Sequence, residues 1–302
     1  MTFNVVIIGG GPAGLAAALA LGRARRRVLL VDGGVRRNAA AERVHNFVTR
    51  DGTPPDEFRR IARQQLEAYA SVEVRDARVE AIQGERGAFE VRLDTGSVSA
   101  RRILLCTGMV DELPALEGFR ELWGQSIFQC PYCHGWEVRD QSFGVLVERV
   151  ELLEFAVLLR SWTGTVVALT NGAFAVPEPV RARLGAAGVA IDERPIRRLV
   201  PRGDRLESIE LDSGSPRRLD VLFARPPQRQ VALVQSLGVA LDDAGYVRVD
   251  DMLETSLPGV YAGGDLITPM QGAILAAASG TRAAAALNHA LTAELAASGA
   301  LD

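Results

Sequence analysis

Asn4-Val5-Val6-Ile7-Ile8-Gly9-Gly10-Gly11-Pro12-Ala13-Gly14 is a β-branched run that breaks into a glycine turn. The run reads as a strand. A helical stretch over residues 15–22 and a second apolar strand over 28–31 follow, and that strand ends on Asp32. Strand, G-x-G-x-x-G, helix, strand and acid occur in the order of a nucleotide-binding βαβ unit. Gly9 permits the tight turn, Gly11 lets a pyrophosphate approach the backbone, and Gly14 lets helix and strand lie close. The helix N-terminus attracts phosphate, and Asp32 falls where a ribose hydroxyl is bound. A purely structural glycine turn would leave the acid unexplained. Gly9, Gly11, Pro12, Ala13, Gly14 and Asp32 are therefore candidate nucleotide contacts.

Outward from this unit, residues 37–56 are polar and turn-rich and contain His45-Asn46-Phe47, where Asn46 joins the candidate cofactor contacts. A helix is expected over 56–69, and strands over 72–76, 78–83, 89–94 and 97–105. The last strand runs into Cys106-Thr107-Gly108, a small-residue end suited to close approach of a cofactor at Thr107 and Gly108. Cys106 reads as a small buried hydrophobe. Residues 113–123, with Pro and Gly, read as a linker. A second strand, helix and strand are expected over 143–147, 150–162 and 165–169. Its turn reads Val147-Glu148-Arg149-Val150, where bulky side chains and a negative charge replace the glycines that phosphate needs. Short elements are expected over 181–184, 189–199, 206–212 and 219–223. Near Gly245 the chain is expected to return, with strands over 246–249 and 259–262, a Gly263-Gly264-Asp265 turn and an alanine-rich helix over 271–287. Gly264 and Asp265 are candidates for a ribityl or ribose hydroxyl, a plain turn aspartate being the alternative. The expected fold is α/β, with two nucleotide-binding, Rossmann-like βαβ domains, the second inserted into the first. The boundaries are 1–113 with 245–302, and 114–244.

Within the insert stands Cys130-Pro131-Tyr132-Cys133-His134-Gly135, which holds two of the three cysteines. A C-x-x-C turn brings two sulfurs close enough to form and break a disulfide, and such settings lower a thiol's pKa. C-x-x-C-H also matches c-type haem attachment, which would require export and an axial ligand. A structural zinc takes four ligands, and no second C-x-x-C supplies them; no metal is expected. A buried structural pair is the third alternative, and so few cysteines in a chain that reads as cytosolic favour redox work. The chain is 48% hydrophobic and 24% charged over 302 residues, enough for two cores. With 34 Lys plus Arg against 37 Asp plus Glu, neither a nucleic-acid nor an anionic-membrane partner is expected. No basic region precedes residues 9–22, so a signal peptide is not expected, and no apolar stretch is long enough to span a membrane. The expected compartment is the cytoplasm.

With these motifs in view, the chain resembles the low-molecular-weight thioredoxin reductase flavoproteins along essentially its whole length. The likeness rests on Gly9-x-Gly11-x-x-Gly14, Thr107-Gly108, Cys130-x-x-Cys133 and Thr255-Ser256-Leu257-Pro258-Gly259-Val260-Tyr261-Ala262-Gly263-Gly264-Asp265. It implies FAD in the outer domain, a homodimer and a redox disulfide on the inserted domain. It also implies that Gln271, Gly272 and Ala273, at the start of the last helix, face the flavin pyrimidine. By the same likeness, Cys133 lies against the flavin and Cys130 exchanges with substrate. His134, whose ordinary pKa of about 6.5 lets it take a thiol proton at neutral pH, is the expected acid/base, an ordinary hydrogen-bonded surface histidine being the alternative. Two departures stand out. The insert lacks the glycine fingerprint, and Thr170-Asn171-Gly172 stands where NADPH-using members carry an arginine pair. His134 follows the second cysteine where an aspartate is usual. C-P-x-C-H-G resembles the dithiol oxidase subfamily, which closes disulfides in small molecules and passes electrons through flavin to oxygen. The expected partners are a small-molecule dithiol or a thioredoxin-like protein, with molecular oxygen as acceptor. The competing expectations are a reductase using a ferredoxin-type donor or a second flavin, and a redox-sensing module without turnover.

Overall fold

The computed structural model describes residues Thr2 to Ala300. Two compact units divide the chain: Met1–Val110 with Gln228–Asp302, and Asp111–Pro227.

The first unit is built on β1 (Thr2–Ile8), α1 (Pro12–Arg23), β2 (Val28–Asp32), α2 (Pro55–Leu66), β3 (Val72–Asp76), β4 (Val79–Glu85), β5 (Ala88–Leu93) and β6 (Gly96–Leu105). Seven strands form one sheet in the order β3-β2-β1-β6-β5-β4, with strand Val260–Ala262 on the carboxyl-terminal half of β6. Val6 pairs in parallel with Leu29 on one side and Ile103 on the other, and Ile103 with Val260. These strands are buried on both faces, which is why they read as continuous apolar runs rather than alternations.

Pro12 suits the first helical position of α1, where its missing N–H costs nothing. The small residues of α1 let the C-terminal helix Ala273–Ala297 lie almost on its backbone. A Cβ on Gly280 would stand 2.1 Å from the Ala13 carbonyl oxygen. Leu287, Leu291 and Leu295 continue the buried stripe of the C-terminal helix, each contributing roughly 1.5–3 kcal/mol. Arg102, 2% exposed, ties β6 to this helix through Glu294.

The second unit carries a five-stranded parallel sheet, in the spatial order Val189–Asp192, Thr165–Leu169, Ser142–Leu146, Val221–Ala224 and Ile127–Phe128. A three-stranded antiparallel sheet, Ile196–Arg202, Arg205–Leu211 and Pro216–Arg218, stands beside it.

Several expectations are corrected. Residues 228–244, read as part of the insert, belong to the first unit. There, the unanticipated helix Ala232–Leu237 buries Val234 in the core. Residues 246–249 form no continuous strand, because Val247 bridges Leu241 whereas Val249 bridges Thr255. The stretch 189–199 is two strands broken at Glu193-Arg194-Pro195. The helix expected over 150–162 is a 3-10 turn Val150–Leu152 followed by Leu153–Leu159. The C-terminal helix begins at Ala273, so Gln271 and Gly272 precede it, and it runs ten residues beyond Leu287. Asn288 and His289 interrupt the apolar run in sequence, whereas the 3.6-residue stripe resumes at Leu291. No helix among the described residues is long and apolar enough to cross a membrane.

Candidate functional site

In the first unit, the glycine motif gathers its partners from three parts of the chain. Gly9 has φ +114°, and a Cβ there would stand 2.2 Å from the Cys106 carbonyl oxygen, so only glycine lets β1 and the end of β6 meet. Thr107 therefore lies beside the turn, and its hydroxyl is buried without a hydrogen-bond partner. Gly264, at φ +96°, places its would-be Cβ 2.9 Å from the Ala13 side chain, while its N–H donates to Ser279 Oγ at 3.0 Å. A Cβ on Gly11 would meet nothing within 4 Å, so that face of the α1 N-terminus is open. Gly108 follows Thr107 in the left-handed region at φ +65°. Asn46 is exposed, with φ +59° and its N–H donated to Asp51 Oδ1 at 2.7 Å. No contact ties it to the glycine turn.

Asp32 is 5% exposed, and a Cβ on Gly10 would stand 1.9 Å from its Oδ2. Its carboxylate accepts from Gly34 N at 2.9 Å, Arg59 Nε at 2.9 Å and Arg63 Nη2 at 3.1 Å. Burial pushes this carboxyl up, but the Gly34 N–H and the two guanidiniums outweigh it and hold it below the usual range. Arg59 and Arg63 were not anticipated; their spacing of four on α2 puts them on one helix face.

A second polar group lies at the entrance to the C-terminal helix. Arg37 Nη1 donates to Asp265 Oδ2 at 3.2 Å and to Gln271 Oε1 at 2.5 Å. Gln271 Nε2 donates to Gln228 Oε1 at 2.8 Å, which also accepts from the Tyr246 hydroxyl at 3.2 Å. Gln271 Nε2 also donates to the Asp265 carbonyl at 3.3 Å, while Arg37 and Gln228 enter from parts of the sequence with no motif of their own.

In the second unit, Cys130 and Cys133 form a disulfide, Cα to Cα 5.3 Å, and the helical turn Pro131–His134 carries it. Both cysteines are partly exposed. The His134 ring stacks on Phe128, centroids 4.4 Å apart and planes 11° apart, with both nitrogens shielded from water. Tyr132 and Trp136 stand out into solvent around the pair. Cys106, by contrast, is free and 6% exposed in the other unit, and burial pushes its thiol well up, so it stays protonated and inert.

The second unit has its own phosphate-type location, at the carboxyl ends of Ser142–Leu146 and Val221–Ala224, where the strand order reverses. Leu146, Glu148, Leu152 and Arg225 line it around a hollow of about 10 Å³, with Glu148 and Arg225 exposed. Two arginines come near the next strand end. Arg194 and Arg217 both engage Asp192, at 2.7 and 3.1 Å, so two guanidiniums share one carboxylate.

The chain matches the family described as pyridine nucleotide-disulphide oxidoreductase over residues 3–286. It belongs to that family. To thioredoxin reductase sirT of Leptosphaeria maculans it is 30% identical over 305 residues, 95% of this chain and 93% of that protein. To a probable thioredoxin reductase of Arthroderma benhamiae it is 38% identical over 177 residues, 56% of this chain and 44%, under half, of that protein. A crystal structure of HlmI superposes with a TM-score of 0.91 at 38% identity, covering 99% of this chain and 95% of that one. The thioredoxin reductase-like members of this pyridine nucleotide-disulphide oxidoreductase family are FAD-dependent flavoproteins, and this chain's residues fit that cofactor. The unpartnered Thr107 hydroxyl follows the strand end that Gly9 approaches, and the face at Gly11 is open, so the turn offers both a polar group and space. Gly9, Gly11, Pro12, Ala13 and Gly14 would hold the pyrophosphate, and Gly264, Asp265, Gln271, Gly272 and Ala273 the ribityl and pyrimidine end.

Proposed function

We propose that the protein oxidises a dithiol to a disulfide through Cys130 and Cys133, with FAD and then molecular oxygen taking the electrons. The observation that carries this reading is the switch point of the second unit, lined by side chains where the first unit has glycines. A nicotinamide dinucleotide needs backbone amides at that turn, and the side chains of Glu148, Leu152 and Arg225 line it instead, Glu148 bringing negative charge. The disulfide, meanwhile, is partly open to solvent and set among exposed aromatics.

In this reading a substrate thiolate attacks Cys130 Sγ and releases Cys133 as a thiolate. The second substrate thiol then displaces Cys130 Sγ, so the substrate leaves as a disulfide and both cysteines are reduced. Bound FAD supplies the two-electron acceptor that regenerates the cysteine disulfide, with oxygen ending as hydrogen peroxide. His134 takes the proton of the incoming thiol, and the Phe128 stack fixes its ring plane for that task. By family resemblance the working form is a cytoplasmic homodimer, and a solution mass of twice 32.4 kDa checks the dimer.

A second reading, disulfide reduction with a donor other than NADPH, is favoured by the thioredoxin reductase names of the relatives. Oxygen consumption with dithiothreitol separates the two. Sustained uptake with one peroxide formed per disulfide supports the oxidase. Flavin bleaching that air restores only over many minutes supports the reductase.

A further inference from the structure

Tyr132 and Trp136 are the two aromatics among the large exposed hydrophobic side chains of the described residues, 61% and 66% exposed. Both lie in the segment that carries the redox disulfide. The other exposed apolar residues are aliphatic and scattered along the chain, a normal surface feature. An aromatic pair gathered at a reactive disulfide is different, because contact there decides which thiols reach the sulfur.

The pair is held in place rather than loose. Tyr132 stands edge-on to Trp162, centroids 5.3 Å apart. Gly135 makes room for that ring, since a Cβ there would stand 2.9 Å from the Trp162 indole nitrogen. The Arg139 guanidinium lies 4.1 Å from the Trp136 ring centre, and its Nη1 donates to the Trp136 carbonyl at 2.7 Å. A residue buttressed on a neighbour loses little freedom when a ligand stacks on it, so the contact is retained as affinity.

We infer that Tyr132, Trp136 and Arg139 form a specificity shelf beside Cys130 that selects dithiols borne on a planar aromatic or conjugated ring. This rests on the dithiol oxidase reading and names its substrate class. Aliphatic dithiols reach the same sulfur without the stack. Arg139 adds preference for a ring that carries negative charge.

The test compares 1,2-benzenedimethanethiol, whose disulfide closes an unstrained six-membered ring as that of dithiothreitol does, with dithiothreitol in the FAD-loaded protein, reading anaerobic flavin bleaching against dithiol concentration. In Trp136→Ala the ratio of kcat/KM for the aromatic over the aliphatic dithiol should fall about tenfold, with the change in KM, and Trp136→Phe should restore most of it. Tyr132→Ala should lower the same ratio, and Tyr132→Phe should not. A ratio within twofold of wild type in both alanine variants overturns the shelf. So does a tenfold loss of exchange with a reduced thioredoxin in Trp136→Ala when the dithiol ratio is unmoved, which would mark a protein-docking surface. If neither dithiol bleaches the wild-type flavin, it is the oxidase reading that fails.

Discussion

Asp32 is a carboxylate held between two guanidiniums and a backbone N–H, and its titration differs accordingly from that of one left in water. Its folded pKa is lowered, so the stabilisation it gives is complete above the unfolded value of about 3.9 and is lost as pH falls through the folded value. Asp32→Asn should therefore unfold at a lower temperature than wild type at pH 7, with the gap narrowing below about pH 4. Thermal unfolding of both proteins from pH 7 to pH 2 checks this, and a gap constant over that range contradicts it. His134 belongs to the same scale. General acid/base help is worth roughly 10²- to 10⁴-fold, so His134→Ala should slow dithiol oxidation by that order while FAD content stays at wild-type level. A loss under about threefold makes His134 a structural residue rather than the acid/base.

Among the elements, α1 and the C-terminal helix set the cradle's shape because Gly280 lets them touch. In Gly280→Ala the new Cβ would stand 2.1 Å from a backbone oxygen of the phosphate turn, which cannot swing aside as a side chain would. Overpacking of this kind costs about 1–3 kcal/mol, and the displaced turn should lose FAD affinity as well. Denaturant unfolding and flavin titration measure the two effects, and wild-type values in both would mean the helices slide freely. This contact shows where sequence reading ends. β1, α1 and β2 were legible because their pattern is local: an apolar run, spaced glycines, an acid. The C-x-x-C was legible for the same reason. The Gly280–Ala13 contact, the Arg59–Asp32 pair and the Arg37–Gln271 bond span long stretches of chain, and nothing in either segment names the other. The strand expected over 246–249 failed from the same cause: its alternation is real, but its residues divide between two partners.

At the scale of the whole molecule, the two units repeat a strand-turn-helix theme with opposite outcomes at the turn. In the first, α1 starts directly after the glycines and leaves the space beside Gly11 open. In the second, Val147-Glu148-Arg149 leads into a 3-10 turn before the helix Leu153–Leu159, and the side chains of Leu146, Glu148, Leu152 and Arg225 line the strand ends. Arg149 offers one phosphate a side-chain grip, but Glu148 beside it opposes the charge, and Arg194 and Arg217 are engaged by Asp192. Held reactants gain effective molarities up to about 10⁵–10⁸ M over free collision, and a nicotinamide without a seat forgoes that gain. NADPH at micromolar concentration should therefore bleach the flavin at least about a hundredfold more slowly than an aromatic dithiol at the same concentration. Anaerobic stopped-flow absorbance measures both rates in one preparation. Should NADPH bleach the flavin within a turnover and drive reduction of an added disulfide, the second unit must open on binding, and the oxidase reading gives way to the reductase. Bleaching by the dithiol alone, with colour and peroxide returning in air, fixes the direction as thiol to Cys130–Cys133, to FAD, to oxygen.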